Sequence, residues 1–229
     1  KDIIMMSWNS HPTFHGGVKD DQISADFPTA VRDYVENQTG ALCAYFTAAA
    51  GDQAARSNIE GLSKVTDRTQ YRQYGQILGQ YAIDALPNLK PVEGTAIRLI
   101  NRDMTYATNK KDLDKTEGFN GRFEQKWIAT RKALPPTRDM VLRAVTVGNL
   151  GFAFAPYEMF GEQGRYIKDN SPCDLTFIAT CGEGDNSYVA ASKGGFEYTS
   201  YEAQVCYYAE GVAEQAAKDF VDILTQLKK

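Results

Sequence analysis

The order of apolar and polar positions along the chain predicts an alternation of strands and helices. Short apolar runs, which predict buried strands, alternate with segments whose apolar residues recur at helical spacing. The predicted strands are 3–8, 41–47, 95–100, 140–147, 150–155 and 175–180. The predicted helices begin near residue 28, span 67–86 and 123–134, and follow residue 212. This pattern is typical of an α/β fold in which a mixed β-sheet is covered by helices.

Residues at the element boundaries sharpen these predictions. Ser24 or Asp26 can cap the first helix, Pro28 suits its first turn, and Gly40 can end it. Residues 148 and 149, a Gly-Asn pair between two apolar runs, predict a two-residue hairpin. Residues 101–121 are polar and without clear periodicity, so we expect an exposed excursion there.

Composition narrows the class of protein. The chain has 229 residues, 43% of them hydrophobic, a net charge of −4 and no run of like charges. We therefore expect a single domain over residues 1–229 and no nucleic-acid surface, because phosphate binding needs clustered Lys and Arg. No apolar run approaches the roughly 20 residues that span a bilayer. Four scattered cysteines without a CxxC pair predict buried, small hydrophobic side chains rather than disulfides: Cys43, Cys173, Cys181 and Cys206.

Polar clusters follow the ends of several predicted strands, where α/β sheets place their ligand sites. These clusters are residues 9–17, 50–52, 156–158 and 185–188. The chain has two histidines, His11 and His15, and both lie in the first cluster. Pro12 between them argues against a helix and against an HExxH zinc motif. The residues alone leave two readings open, hydrogen-bonded structural histidines or a catalytic and ligand-binding pair.

Five segments, in the right order along the chain, resemble the neutral/alkaline non-lysosomal ceramidase family. Residues 10–13 and 23–28 resemble its HPT…ISADFPG stretch, and residues 49–52 resemble its AAGD turn. Residues 156–160 resemble its PGExF segment. Residues 186–188 and 195–202 resemble its NGYxGYxPT…GGYE stretch.

The resemblance implies a mixed α/β catalytic domain that binds one zinc ion and hydrolyses an amide bond in a sphingolipid-like or other N-acyl substrate with metal-activated water. The family holds zinc with two histidines, a glutamate and a tyrosine. Three of these positions match His11, Glu158 and Tyr188. The candidate catalytic residues are Tyr188, Asn9 and Asp26. Asn9, Asp26 and Asn186 are candidates for orienting the metal ligands. Roles in turns or helix caps explain these three residues equally well. Further candidates are His15, Asp52, Ser57, Tyr201 and Glu202.

Three departures from the family pattern qualify what the resemblance implies. The second zinc histidine belongs to a THTHS-like segment that is not in this sequence, so we expect the fourth ligand from a missing N-terminal segment or an N-terminal partner chain. Ala54 stands where the better-known ceramidases have a catalytic serine. We expect no Ig-like module behind the last predicted helix. No signal-peptide pattern follows Lys1 in this sequence, so the compartment stays open between exported and cytoplasmic.

These departures keep two functions open. One is a metal-dependent amidohydrolase that acts on a small or lipid-like substrate. The other is a catalytically inactive, ceramidase-like protein that binds such a ligand without turning it over.

Overall fold

The structure is a computed structural model that describes residues 1–14, 23–55, 70–110, 129–182, 184, 186–198 and 200–229. Its contacts divide the chain into two compact units. The first unit comprises Lys1–Thr47 and Gln53–Pro91, and the second comprises Ala48–Asp52 and Val92–Lys229. Helices and mixed sheets confirm the predicted α/β class. The predictions for His15, for Ser57 and for residues 123–128 of the helix 123–134 lie outside the described residues.

The first unit packs two parallel strands against two helices. Strands β1 (Ile3–Trp8) and β2 (Leu42–Thr47) pair in parallel, and helices α1 (Phe27–Thr39) and α2 (Gln70–Ala85) supply the helical layer. Side chains alternate along a strand, so every second residue of each strand faces the helices. The core is aromatic and aliphatic: Phe14, Phe27, Val31, Val35, Cys43, Ala55, Tyr74 and Leu78.

Helix α1 begins and ends where the sequence predicts. Asp26 Oδ1 accepts a hydrogen bond of 2.7 Å from the Phe27 N–H, and Pro28 lies in the first turn. Gly40 follows the last turn with φ 71°, and its N–H donates to the Glu36 carbonyl. Glycine adopts this left-handed conformation without a steric penalty, which explains why the helix ends there.

The second unit is built on a four-stranded mixed sheet. Strands β3 (Ile97–Ala107), β4 (Thr137–Val147) and β5 (Leu150–Phe154) are antiparallel, and β7 (Leu175–Ala179) pairs in parallel with β5. Helices α3 (Gly161–Asn170) and α5 (Val212–Leu227) pack against this sheet. Their shared core contains Leu142, Ala144, Ile178, Phe220 and Leu224, all fully buried. The predicted hairpin at residues 148 and 149 is confirmed by the β4–β5 pairing.

Strand β3 corrects the prediction of an exposed excursion from residue 101. It continues to Ala107 because its residues alternate, with Tyr106 buried and Asp103 and Thr105 exposed. Arg102 interrupts the apolar row, and its guanidinium pairs with Asp222 on α5 at 2.8 Å. Because the charged Arg102 stands in the inward-facing row, a count of apolar residues does not detect the strand period of two.

The second unit also contains shorter elements. Strands β6 (Glu158–Met159) and β8 (Tyr188–Val189) form a separate parallel pair, and helix α4 spans Tyr201–Val205. All four cysteines are free thiols, as predicted, and Cys43 and Cys206 are buried. The predicted burial is wrong for Cys181, which is exposed, and Cys173 is half-buried. Among the described helices, none is both long and apolar enough to cross a membrane.

Candidate functional site

Glu158 and Tyr188, two of the predicted metal ligands, lie side by side. They are register partners in the parallel β6–β8 pair, and the Glu158 N–H donates to the Ser187 carbonyl at 2.9 Å. Directly paired residues of neighbouring strands project from the same face. Consistent with this, the Tyr188 hydroxyl forms a hydrogen bond with the Glu158 carboxylate.

The environment of Tyr188 keeps its phenol protonated. Burial raises the pKa of Tyr188 strongly, and the negative charge of Glu158 and the hydrogen bond to it raise this pKa further. At neutral pH the phenol is therefore the donor and the Glu158 carboxylate the acceptor of their hydrogen bond.

Tyr201 and Glu202 extend this pair into what we call the site cluster: Glu158, Tyr188, Tyr201 and Glu202. The rings of Tyr188 and Tyr201 meet edge to face with their centroids 5.9 Å apart. Burial, followed by the charges of Glu158 and Glu202, raises the pKa of Tyr201. Ser200 fixes the position of both new members, because its hydroxyl accepts a hydrogen bond from the Ala203 N–H at the start of α4. Four residues predicted from the sequence thus form one polar cluster.

The AAGD turn supports the strand that carries Glu158. The Gly51 N–H donates to the Met159 carbonyl at 2.7 Å, and a Cβ atom at Gly51 would lie 3.0 Å from the backbone oxygens of Glu158 and Met159. Asp52 Oδ1 accepts a hydrogen bond of 2.7 Å from the Gly161 N–H at the start of α3. Asp52 therefore contacts a helix N-terminus, where a negative charge is stabilising.

His11, Asn9 and Asp26 lie in the first unit. The His11 N–H donates to the Gln53 carbonyl at 2.8 Å, and His11 forms an isolated parallel bridge with Ala54. Asn9 is half-buried in the turn that follows β1. Asp26 is buried and caps α1, which is the structural alternative that the sequence left open for it. The predicted zinc and catalytic roles of these three residues stay predictions.

Asn186 and Tyr208 anchor the loop before Tyr188. Asn186 Nδ2 donates to the Pro156 carbonyl at 3.1 Å, and Asn186 Oδ1 accepts a hydrogen bond of 3.1 Å from the Tyr208 hydroxyl. Asn186 belongs to one of the motifs in the sequence, whereas Tyr208 belongs to none and is not predicted as a site residue. The one feature of the sequence that indicates a role for Tyr208 is its position within an apolar run, because the hydroxyl of a buried tyrosine needs a hydrogen-bond partner.

The donor atoms of the Glu158 and Tyr188 pair fit part of a zinc shell. Zinc takes carboxylate oxygen and imidazole nitrogen in a shell of four, so these two oxygen donors on adjacent strands could supply part of it. Within the described ranges, no group of three or more His, Cys, Asp or Glu side chains could hold a metal ion. Further ligands are therefore needed in addition to the site cluster.

Comparison with known proteins shows the fold. No protein-family profile matches the sequence, and no curated protein matches it. The crystal structure of neutral ceramidase from Pseudomonas aeruginosa matches 98% of this chain with a TM-score of 0.71 at 16% identity. A ceramidase complexed with C2 matches 98% of the chain with a TM-score of 0.70 at 15% identity. The chain spans 44% and 45% of the length of those two proteins. The chain therefore has the fold of neutral ceramidase structures over nearly its whole length, as the resemblance of its motifs predicts.

Proposed function

We propose that this chain contributes the carboxylate and phenol part of a metal-dependent hydrolase site that cleaves the amide bond of a sphingolipid-like or other N-acyl substrate. The observation that carries the proposal is the hydrogen-bonded pair of Glu158 and Tyr188 on strands β6 and β8. Both residues belong to motifs that resemble the ceramidase ligand set, and the fold is that of neutral ceramidases.

Glu158 and Tyr188 are the residues of the second unit that would hold the zinc ion. The sequence resemblance adds His11, whose role is a prediction. When bound, zinc supplies a Lewis acid for the amide carbonyl and lowers the pKa of water to about 7. In the metal-free site the Tyr188 hydroxyl donates to the Glu158 carboxylate, which holds the two oxygen donors next to each other.

Tyr201 is suited to stabilise charge on the substrate. Its raised pKa keeps the phenol protonated at neutral pH, so it can donate a hydrogen bond to a carbonyl oxygen that gains negative charge. Glu202, the next residue, has a carboxylate that can accept a hydrogen bond from a substrate hydroxyl or amine.

A second candidate function is ligand binding without turnover. Ala54 favours this function, because it has a methyl group at the position where the better-known ceramidases have a catalytic serine. Ala54 is exposed and is the bridge partner of His11. In such a protein the site cluster would still bind the substrate, but the amide bond would persist.

Zinc content of the natural full-length protein tests the metal assignment. After zinc loading and gel filtration, elemental analysis is expected to find about one zinc per molecule. Glu158→Gln and Tyr188→Phe are expected to lose most of it, because each removes one oxygen donor. Glu162→Gln, at an exposed glutamate of α3, and Tyr198→Phe, at an exposed tyrosine, are the matched controls. A loaded wild-type protein that retains no zinc would contradict the proposal.

Product release separates the two candidate functions. Zinc-loaded protein is incubated with N-acylsphingosine and with a simple N-acyl amine, and free fatty acid is quantified. We expect release by the wild type and a loss of at least about 100-fold in Glu158→Gln, a range typical of groups that stabilise a transition state. Binding of N-acylsphingosine without release would support the ligand-binding alternative. If the substrate neither binds nor is cleaved, both functions are excluded.

A further inference from the structure

Asn186 connects the two chain segments that lead into β6 and β8. Its backbone N–H and its side-chain Nδ2 both donate to the carbonyl oxygen of Pro156, at 3.2 and 3.1 Å. Pro156 lies two residues before Glu158, and Asn186 lies two residues before Tyr188. The Asn186 side chain therefore sets the distance between the segment that leads to Glu158 and the segment that leads to Tyr188.

Tyr208 fixes the orientation of the Asn186 amide. The Tyr208 hydroxyl donates to Asn186 Oδ1 at 3.1 Å, so both ends of the amide group are engaged. Tyr208 is fully buried, and its hydroxyl also lies 3.3 Å from the Asp139 carbonyl oxygen of β4. Arg138 donates a further hydrogen bond to this hydroxyl. Through Tyr208, the loop before β8 is tied to the four-stranded sheet.

The residue between Asn186 and Tyr188 has an unfavourable backbone conformation. Ser187 has a φ of 56°, which side chains rarely adopt and which persists only where surrounding contacts impose it. Its carbonyl accepts the Glu158 N–H, and its hydroxyl donates to the Val205 carbonyl at 3.3 Å. The β6–β8 register thus depends on a conformation that the neighbouring anchors must hold.

We propose that Asn186 and Tyr208 are positioning residues that hold β6 and β8 in the register at which the Glu158 carboxylate and the Tyr188 phenol meet. The inference rests on the proposed function in one respect, since this is the pair proposed to hold the metal. Neither Asn186 nor Tyr208 is assigned a contact with the metal or the substrate. Both act through the placement of the two ligands.

Amide hydrogen exchange of the metal-free protein tests the register directly. Tyr208→Phe removes the hydroxyl with little change of shape, and Asn186→Ala removes the amide. In both variants we expect the Glu158 N–H to exchange at least several-fold faster, whereas the amides of β4 keep their protection. Tyr106→Phe is the matched control, because it removes another hydroxyl of the second unit, one that donates to Asp219 at 2.6 Å. It is expected to leave the exchange of Glu158 relative to β4 unchanged.

Zinc affinity gives the second readout. Competition with a chelator at a temperature where every variant is folded is expected to show a dissociation constant higher by about 10-fold or more in Tyr208→Phe and Asn186→Ala. The double variant is expected to be little worse than Asn186→Ala, because the two residues act in one chain of hydrogen bonds. Tyr106→Phe is expected to bind zinc as the wild type does.

The outcomes separate this inference from the proposed function. If the wild type binds zinc but Tyr208→Phe and Asn186→Ala change neither readout, the positioning role is overturned and the proposed function stands. Equal acceleration of all amides in the second unit, or faster exchange of Glu158 without loss of zinc affinity, would also overturn it. If the wild type binds no zinc, the proposed function fails, and the exchange of Glu158 alone decides whether the two residues set the register.

Discussion

At Gly51 the chain passes so close to strand β6 that no side chain fits. A Cβ atom there would lie 3.0 Å from two backbone oxygens, which cannot move aside as the end of a flexible side chain can. The Gly51 N–H also donates to the Met159 carbonyl. Gly51 of the AAGD turn is therefore required for packing against the strand that carries Glu158, whether or not Glu158 has a catalytic role.

Gly51→Ala is expected to lower the free energy of unfolding by about 1–3 kcal/mol, because the added methyl group overpacks a backbone contact. Urea denaturation measures this loss. Gly182→Ala is the matched control, since the nearest atom to its added Cβ would be 3.5 Å away, an ordinary van der Waals distance. Equal stability of the two variants would show that the turn can move away from β6.

Two acidic residues of the resembling motifs accept hydrogen bonds from helix N-termini. Asp26 caps α1 through the Phe27 N–H, and Asp52 accepts the Gly161 N–H at the start of α3. Sequence comparison assigns both to a site because they lie within motifs. Sequence reasoning cannot tell a motif residue that places a helix from one that binds a ligand, since Asp serves both purposes.

At the scale of elements, two glycines of α2 set how closely it packs against α1. A Cβ atom at Gly75 would lie 2.6 Å from the Ala30 Cβ and 2.7 Å from the Phe27 carbonyl oxygen. At Gly79 the nearest obstacle is a Tyr34 ring carbon at 2.8 Å, which belongs to a side chain. The contact at Gly75 therefore includes backbone atoms, whereas the contact at Gly79 is with one side chain.

Alanine at these two positions is expected to have different effects. Each substitution gains about 1 kcal/mol of helix propensity. Gly75→Ala must also separate two helices, so we expect a net loss of about 1–3 kcal/mol in the free energy of unfolding. Gly79→Ala is expected to lose less, because the three atoms nearest to its added methyl group all belong to the Tyr34 side chain. Chemical denaturation of both variants measures the difference, and an equal or larger loss for Gly79→Ala would contradict this account.

Most elements could be predicted from the sequence because their patterns are local. β1, the caps of α1, the β4–β5 hairpin and the last helix follow from apolar period, turn residues and capping residues. The second half of β3 could not, because its polar residues face solvent on one side and Arg102 interrupts the apolar row on the other. Its length depends on pairing with β4, which is remote in sequence.

The candidate site was predictable only in part, for a similar reason. The motifs name Glu158, Tyr188, Tyr201 and Glu202, and the structure brings these four together. Tyr208 has no motif, because its role comes from a hydrogen bond to the remote Asn186. Pattern reasoning finds residues of unusual type or spacing, and it misses ordinary buried residues whose partners only the fold supplies.

On the scale of the whole molecule, buried tyrosines link stability to alkaline pH. Burial is the chief cause that raises the pKa of Tyr45, Tyr106 and Tyr157. In the unfolded chain a tyrosine ionises near pH 10, so above that pH the unfolded state loses protons that the folded state retains. The contribution of these groups is therefore complete below about pH 10, and stability falls as the pH rises further.

Tyr45→Phe is expected to remove one part of this pH dependence. The Tyr45 hydroxyl is buried and forms no hydrogen bond with the described residues, so at pH 7 the variant should be as stable as the wild type or more stable by up to about 1 kcal/mol. At pH 11 its advantage should grow by up to about 1.4 kcal/mol. Denaturation at both pH values measures this, with Tyr198→Phe, at an exposed tyrosine, as the control. An advantage that does not grow with pH would contradict the assignment.

The membership of Ala48–Asp52 in the second unit has a consequence for how this polypeptide can be divided. These five residues are flanked on both sides by residues of the first unit. A gene fragment ending at Pro91 would encode the first unit together with three buried alanines that belong to the second unit. A fragment starting at Val92 would encode the second unit without Gly51 and Asp52. A single crossover in recombination therefore cannot exchange either unit with its full set of residues.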